Sequence, residues 1–172
     1  ANTDTTSTDG RESIRKDISK LLEQLNNIAE QTNYNGNVLL QATATSTAGS
    51  AGLSFQVGES SADIISNTTV QANTVGLSLG ALSGATTLTK GIASAQQTVV
   101  DTAITTLNGY RGDIGSTQNQ VESAVRNLMT QSTNVKAAES VIRDVDYAAE
   151  SANFNKQNII SQAGSYAISQ AN

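Results

Sequence analysis

The sequence predicts a mainly α protein with a small β-hairpin region, laid out as an elongated antiparallel helical rod of coiled-coil type. Three observations predict it. Apolar residues recur at seven-residue intervals near the start of the chain, and do so again over a longer stretch beyond residue 100. Between these stretches, around 53–57, they alternate with polar neighbours instead.

Composition agrees with a thin apolar seam rather than a thick core. Only 37% of the 172 residues are hydrophobic and 3% aromatic, and neither Trp nor Pro occurs. Ser, Thr, Asn and Gln fill most of the remainder, with 15% charged residues. A surface that polar yet weakly charged suits packing against further copies of the same chain.

The same composition excludes several functions. A net charge of −5 offers no basic groove, so nucleic acid is not an expected partner. The absence of Cys removes disulfides and thiolate chemistry, and the absence of His removes imidazole acid–base catalysis and ligation. No catalytic residue, metal ligand or cofactor is therefore expected. No apolar run approaches the ~20 residues that a bilayer span needs, so membrane insertion is not expected either. The chain starts at Ala1 rather than Met, which makes the lack of a secretory signal uninformative about export.

Residues 1–8 read as a polar lead-in. Asp9 then caps a helix over 9–32, with Glu12 reaching back as in a capping box and forming an i,i+4 pair with Lys16. Ile14, Ile18, Leu21, Leu25 and Ile28 follow at gaps of 4, 3, 4 and 3, one heptad stripe. Asn33, Asn35 and Gly36 are turn residues and end the helix. The region 34–89 is read as small hairpins and loops packed on helices. Val38-Leu39-Leu40 suggests a short strand, 41–52 a small-residue loop, and Leu53, Phe55 and Val57 a half-buried strand. Ser66-Asn67 offers a turn, Thr69-Val70-Gln71-Ala72 a second strand, and Val75 to Leu82 is compatible with irregular strand or loop.

A long helix is expected over 91–143. Its stripe runs Val100, Ala103, Leu107, Tyr110, Ile114, Thr117, Val121, Ala124, Leu128, Gln131, Val135, Ala138, Ile142 and Val145. Every gap is 3 or 4 in alternation, the mark of a coiled-coil contact sustained over some fifty residues, or roughly 75–80 Å. Glu122–Arg126 and Glu139–Arg143 are i,i+4 pairs along it. Gly109, Gly112 and Gly115 interrupt the pattern, each costing ~1 kcal/mol relative to Ala. Two readings stand: a locally weakened helix, or close approach by a neighbouring chain. After Val145 the sequence stays helix-compatible, but it is poor enough in large apolar residues to order only against a partner.

Three stretches resemble bacterial flagellin. The first is IRKDISKLLEQLNNIAEQTNYNGNVLL, 14–40, whose turn motif is Gln31, Thr32, Tyr34, Asn35 and Gly36. LSFQVG at 53–58 is similar to a downstream strand segment of the family. The third runs from Leu107 to Asn172 and carries a terminal motif at Asp144, Asp146, Tyr147, Glu150, Gln162, Gly164, Gln170 and Asn172.

The resemblance implies an inner core fragment of a small flagellin, without the family's first terminal helices and its last dozen apolar-rich residues. Residues 1–143 would be the core rod domain and 144–172 the start of the C-terminal inner-tube helix. It implies a structural, non-enzymatic filament subunit for motility. Its expected partners are other flagellin subunits, a flagellar export chaperone and the cap protein. Secretion through the flagellar channel would need no cleaved signal. An innate immune receptor reads the family's core helices, and a Glu it contacts falls at Gln24 here, so weak activation is expected.

Asp144 and Asp146 are read as ordinary helix-face charges pairing with Arg143 rather than as a carboxylate pair for catalysis. The Gly-containing stretches lack the Gly-Lys-Ser/Thr of a phosphate loop. Asn67-Thr68-Thr69 is formally a glycosylation triplet and the Ser/Thr-rich loops at 41–50, 59–69 and 83–89 are better candidates for O-linked glycans, but plain solvated loops are the favoured reading. The rivals are a hook–filament junction protein, which the QAGSYAISQAN ending argues against, and a coiled-coil adhesin segment, whose repeated stalk modules are missing.

Overall fold

The computed structural model describes residues 1–47, 49–50 and 52–172. Helix α1 spans Thr8–Gln31, and two minimal hairpins follow: β1 Asn33–Tyr34 with β2 Asn37–Val38, and β3 Ser54–Gln56 with β4 Ile64–Ser66. A one-turn helix α2, Gly80–Ser83, precedes α3, Lys90–Ala171. The chain divides into two compact units, 1–123 and 124–172. No helix among the described residues is long and apolar enough to cross a membrane.

Helix α1 is capped by Ser7 rather than Asp9. The Ser7 backbone is extended (φ −68°, ψ 161°) and its Oγ accepts the Gly10 N–H at 3.0 Å. Asp9 sits one residue inside, where its charge still favours the helix N-terminus. Glu12 does not close a capping box. It takes both Nε and Nη2 of Arg15, at 2.9 and 2.6 Å, in an i,i+3 fork, and the charge of Lys16 adds a lesser attraction. Arg15 also donates Nη1 to the Ala85 carbonyl at 3.1 Å, which ties α1 to the segment after α2. Ahead of the helix, Arg11 holds the carbonyls of Ala1 and Thr3 at 3.1 and 3.0 Å.

Asn35 and Gly36 form the two-residue loop of the first hairpin, with φ of 54° and 80°. Two successive left-handed residues make the twist that joins tightly paired antiparallel strands, which is why Asn-Gly occupies them. Leu39 N–H adds a bond to the Thr32 carbonyl at 3.1 Å, but the ladder itself stops at Val38, earlier than the strand expected over 38–40.

The strand expected around Phe55 forms and pairs with Ile64–Ser66 (Ser54↔Ser66, Phe55↔Ile65, Gln56↔Ile64), whereas 69–72, expected as a second strand, forms none. The reason lies in burial. Val70, Gln71, Ala72, Asn73 and Thr74 are buried in succession, all between 1% and 5% exposed. A strand alternates its faces, whereas this segment is enclosed on every side. Its backbone is met piecemeal: Ala72 N donates to Leu40 O at 2.7 Å and Ser50 N to Val70 O at 2.8 Å.

Side-chain amides fill the same layer. Asn73 Nδ2 donates to Gln41 Oε1 at 2.8 Å and its Oδ1 accepts from Gly76 N at 2.8 Å. Gln71 Oε1 accepts from Ala42 N at 3.1 Å, while its Nε2 faces the carbonyls of Thr43 and Ser46. Asn26 of α1 accepts the Thr74 N–H at 3.0 Å, which binds the layer to the helix. Buried polar groups of this kind are tolerable only when nearly all are paired.

The apolar core of the first unit is small. Leu22, Leu77, Leu79, Leu82 and Ala103 form it, with Ile18, Leu25, Val99, Val100 and Tyr110 packed around them. Full burial of a Leu is worth about 1.5–3 kcal/mol, so a handful of such residues carries the unit together with the amide layer. Residues 124–171 of the second unit are helical, and none of its residues is buried.

Candidate assembly surface

The apolar stripes expected from the sequence are only partly used inside the chain. On α1 the inward edge runs through Ile18, Leu22, Leu25 and Ala29. Ile14 is half-buried, while Leu21 and Ile28 are 63% and 51% exposed. The apolar band is thus wider than one contact needs. Its inner edge meets α2 and α3, and its outer edge, Leu21 and Ile28, faces outward.

The α3 stripe divides along its length. Val100, Ala103 and Tyr110 pack inward. Leu107 and Ile114 are exposed at the margin and Val121 is half-buried. Beyond residue 124, Leu128, Val135, Ile142 and Val145 are all exposed, as are Phe154, Ile159, Ile160, Tyr166 and Ile168. Single exposed apolar side chains are ordinary, but so many along one helix are unusual for a chain without partners.

Gly109, Gly112 and Gly115 lie within unbroken helix, and a Cβ placed on any of them would meet nothing within 4 Å. Among the described residues, therefore, nothing approaches them closely.

Of the turn motif, Gln31, Tyr34, Asn35 and Gly36 are exposed and Thr32 is half-buried, its Oγ1 donating to the Ile28 carbonyl at 2.6 Å. Gln24 is exposed on α1. Every residue of the C-terminal motif, Asp144, Asp146, Tyr147, Glu150, Gln162, Gly164, Gln170 and Asn172, is exposed. Arg143 pairs with Glu139 at 3.7 Å, a surface contact worth little by itself. Asn67 is engaged locally: its Oδ1 accepts the Leu53 N–H at 2.5 Å, which closes the base of the second hairpin.

One feature escaped the periodicities. Leu53 and Phe55 of the hairpin face Ile114 and Val121 of α3 across an open recess of about 370 Å³. Thr68 Oγ1 donates to Asp113 Oδ2 at 3.2 Å beside it. The only signal in the sequence is that both the hairpin and the helix place apolar residues at their expected periods, without saying that they meet.

Titratable groups add little chemistry. The Arg15 hydrogen bonds hold the Glu12 carboxyl below the usual carboxylate range, and the Glu12 bond raises Arg15 in turn. Among the described residues no cluster of three His, Cys, Asp or Glu could hold a metal ion.

Apolar side chains spread along a helix, rather than gathered around a pocket, define a helical protein that makes contacts along its length. Comparison with known proteins gives that class a family. Residues 97–172 match the bacterial flagellin C-terminal helical region and residues 1–45 the N-terminal helical region. Flagellin A of Helicobacter pylori is 53% identical over 90 residues, covering 52% of this chain and 17% of the relative. The protein YvzB of Bacillus subtilis, itself named as a flagellin, is 35% identical over 155 residues, covering 90% of this chain and 93% of the relative. The flagellin of B. subtilis is 34% identical over 184 residues, covering 94% of this chain and 60% of the relative. The chain belongs to the bacterial flagellin family.

Proposed function

We propose that the chain is a structural, non-catalytic subunit of the bacterial flagellar filament, polymerising with other flagellin subunits through its exposed helical stripes. The observation that carries this reading is the state of residues 124–172. They are helical to Ala171 and none is buried, yet they carry Leu128, Val135, Ile142, Val145, Phe154 and Ile159. Each such side chain offers about 1.5–3 kcal/mol on full burial, a gain that neighbouring subunits would supply. The outer edge of α1, Leu21 and Ile28, would serve the same end.

In this reading residues 1–143 form the core rod domain and 144–172 begin the inner-tube helix. The flagellar export chaperone and the cap protein would handle the subunit before assembly, and secretion through the flagellar channel would proceed without a cleaved signal. An innate immune receptor would recognise the subunit weakly, with Gln24 at the contact position.

Labelling of native filaments tests the reading. Antibody raised against this chain should decorate the filament shaft along its length, and peptides of the chain should be abundant in sheared filaments. Label confined to the hook–filament junction, or absent from the shaft, would contradict it.

A further inference from the structure

We propose that Asn35-Gly36 is a site of spontaneous deamidation, and that the same dipeptide at Asn108-Gly109 is kept inert by the helix around it. The chain contains these two Asn-Gly pairs. In the reaction the Gly36 backbone nitrogen loses its proton and attacks Cγ of Asn35. Ammonia leaves, and a five-membered succinimide remains. Water then opens the ring at either carbonyl, giving aspartate or isoaspartate. The net change is uptake of one water and loss of one ammonia, with no oxidant or reductant. A following glycine favours the attack because it has no Cβ to crowd the nitrogen.

Exposure does not separate the two sites, since Asn35 and Asn108 are both exposed. The backbone does. Ring closure requires rotation about the Asn Cα–C bond to bring the next nitrogen round to the carboxamide carbon. At Asn35 the left-handed turn must open to allow it. Among the described residues, the pairs Asn33↔Val38 and Tyr34↔Asn37, the Leu39 N–H to Thr32 carbonyl bond and the contact of β2 with α1 resist that opening. No residue of 33–37 is buried, and space around Gly36 is clear to 4 Å. A two-stranded ladder this short is marginal in water, so its opening lies at the low end of local unfolding energies.

Asn108 stands in the interior of α3, many turns from either end of Lys90–Ala171. There the same rotation would unwind a helix on both sides of the residue. Reaction at Asn35 has a structural consequence as well. Isoaspartate adds a methylene to the main chain of a two-residue loop and destroys the match of the strands, and either product puts a new carboxylate beside exposed Tyr34.

The test is incubation of the purified chain in neutral and mildly alkaline buffer, followed by peptide mass spectrometry in ¹⁸O-water. The Asn35 peptide should gain about one dalton beyond the isotope label, at least tenfold faster than the Asn108 peptide and faster at higher pH. Asn35→Gln should abolish the gain. In denaturant the two rates should converge. An Asn35 that stays intact while a short free peptide of the same turn reacts would overturn the proposal. So would equal rates at both sites in the folded chain, or a rate difference that persists in denaturant.

Discussion

Asn73 Nδ2 donates to Gln41 Oε1 at 2.8 Å across 32 residues of sequence, with both side chains almost fully buried. This bond joins the loop after the first hairpin to the segment leading into α2, where the backbone forms no ladder. Asn73→Leu would leave the Gln41 carbonyl oxygen and the Gly76 N–H without this partner. Leaving a buried polar group unpaired costs about 1–3 kcal/mol. Urea denaturation of the first unit should report a loss of at least that size, and a stability within error of the parent would contradict the role assigned to the layer.

Glycines separate into two classes with opposite expected effects. A Cβ on Gly76 would lie 2.1 Å from the Gln71 carbonyl oxygen and 2.2 Å from its Cγ, so Gly76→Ala forces backbone apart. Overpacking of that kind costs about 1–3 kcal/mol. Gly112→Ala meets open space inside a helix and should stabilise by about 0.5–1 kcal/mol. Thermal unfolding followed by circular dichroism distinguishes the signs. A Gly112→Ala variant that is more stable alone yet fails to join filaments would show that a neighbouring chain passes over this face.

The Glu12–Arg15 fork predicts a pH dependence. The folded pKa of Glu12 lies below its unfolded value, because the ionised carboxylate accepts two guanidinium bonds. Its stabilising effect is therefore fully present above the unfolded carboxylate pKa and is lost as pH falls through the folded value. Arg15 remains charged throughout that window. The midpoint difference between the parent and Glu12→Gln, measured from neutral to acidic pH, should shrink toward zero in acid. A difference that stays constant would mean the fork makes no contribution through ionisation.

The proposed recognition by an innate immune receptor gives a further expectation. Gln24 is exposed and carries no carboxylate. A hydrogen bond to a charged group contributes about 1.5–3 kcal/mol, so Gln24→Glu should raise signalling about tenfold or more where the rest of the contact is present. A reporter assay of the variant, alone and with the upstream segment of an activating flagellin, checks this. Unchanged signalling in both would remove Gln24 from the account.

The sequence made the helices legible because 3.6-residue periodicity is a local property. Ile18 and Leu25 follow from it directly, and so does the start of α3 at Lys90. Which edge of the band faces the chain's own core is not local. Leu21 and Leu22 are adjacent and equally apolar, and only the position of α2 and α3 turns Leu22 inward. Ser7 and Asp9 are both good caps, so side-chain chemistry could not choose between them. The amide layer was hidden for a stronger reason. Gln41, Gln71 and Asn73 read as solvated polar residues until their partners, about thirty residues away, are known. The motifs at 31–36 and 144–172 lie beyond periodicity altogether, and only their resemblance to flagellin singles them out.

Incorporation of an Ile142→Asp variant into growing filaments tests the central claim most directly. Ile142 is 64% exposed in the chain, so the change leaves the first unit's stability untouched. If neighbouring subunits bury this stripe, the buried unpaired carboxylate should exclude the variant from sedimented filaments while the parent enters them. Equal incorporation of variant and parent would contradict the claim.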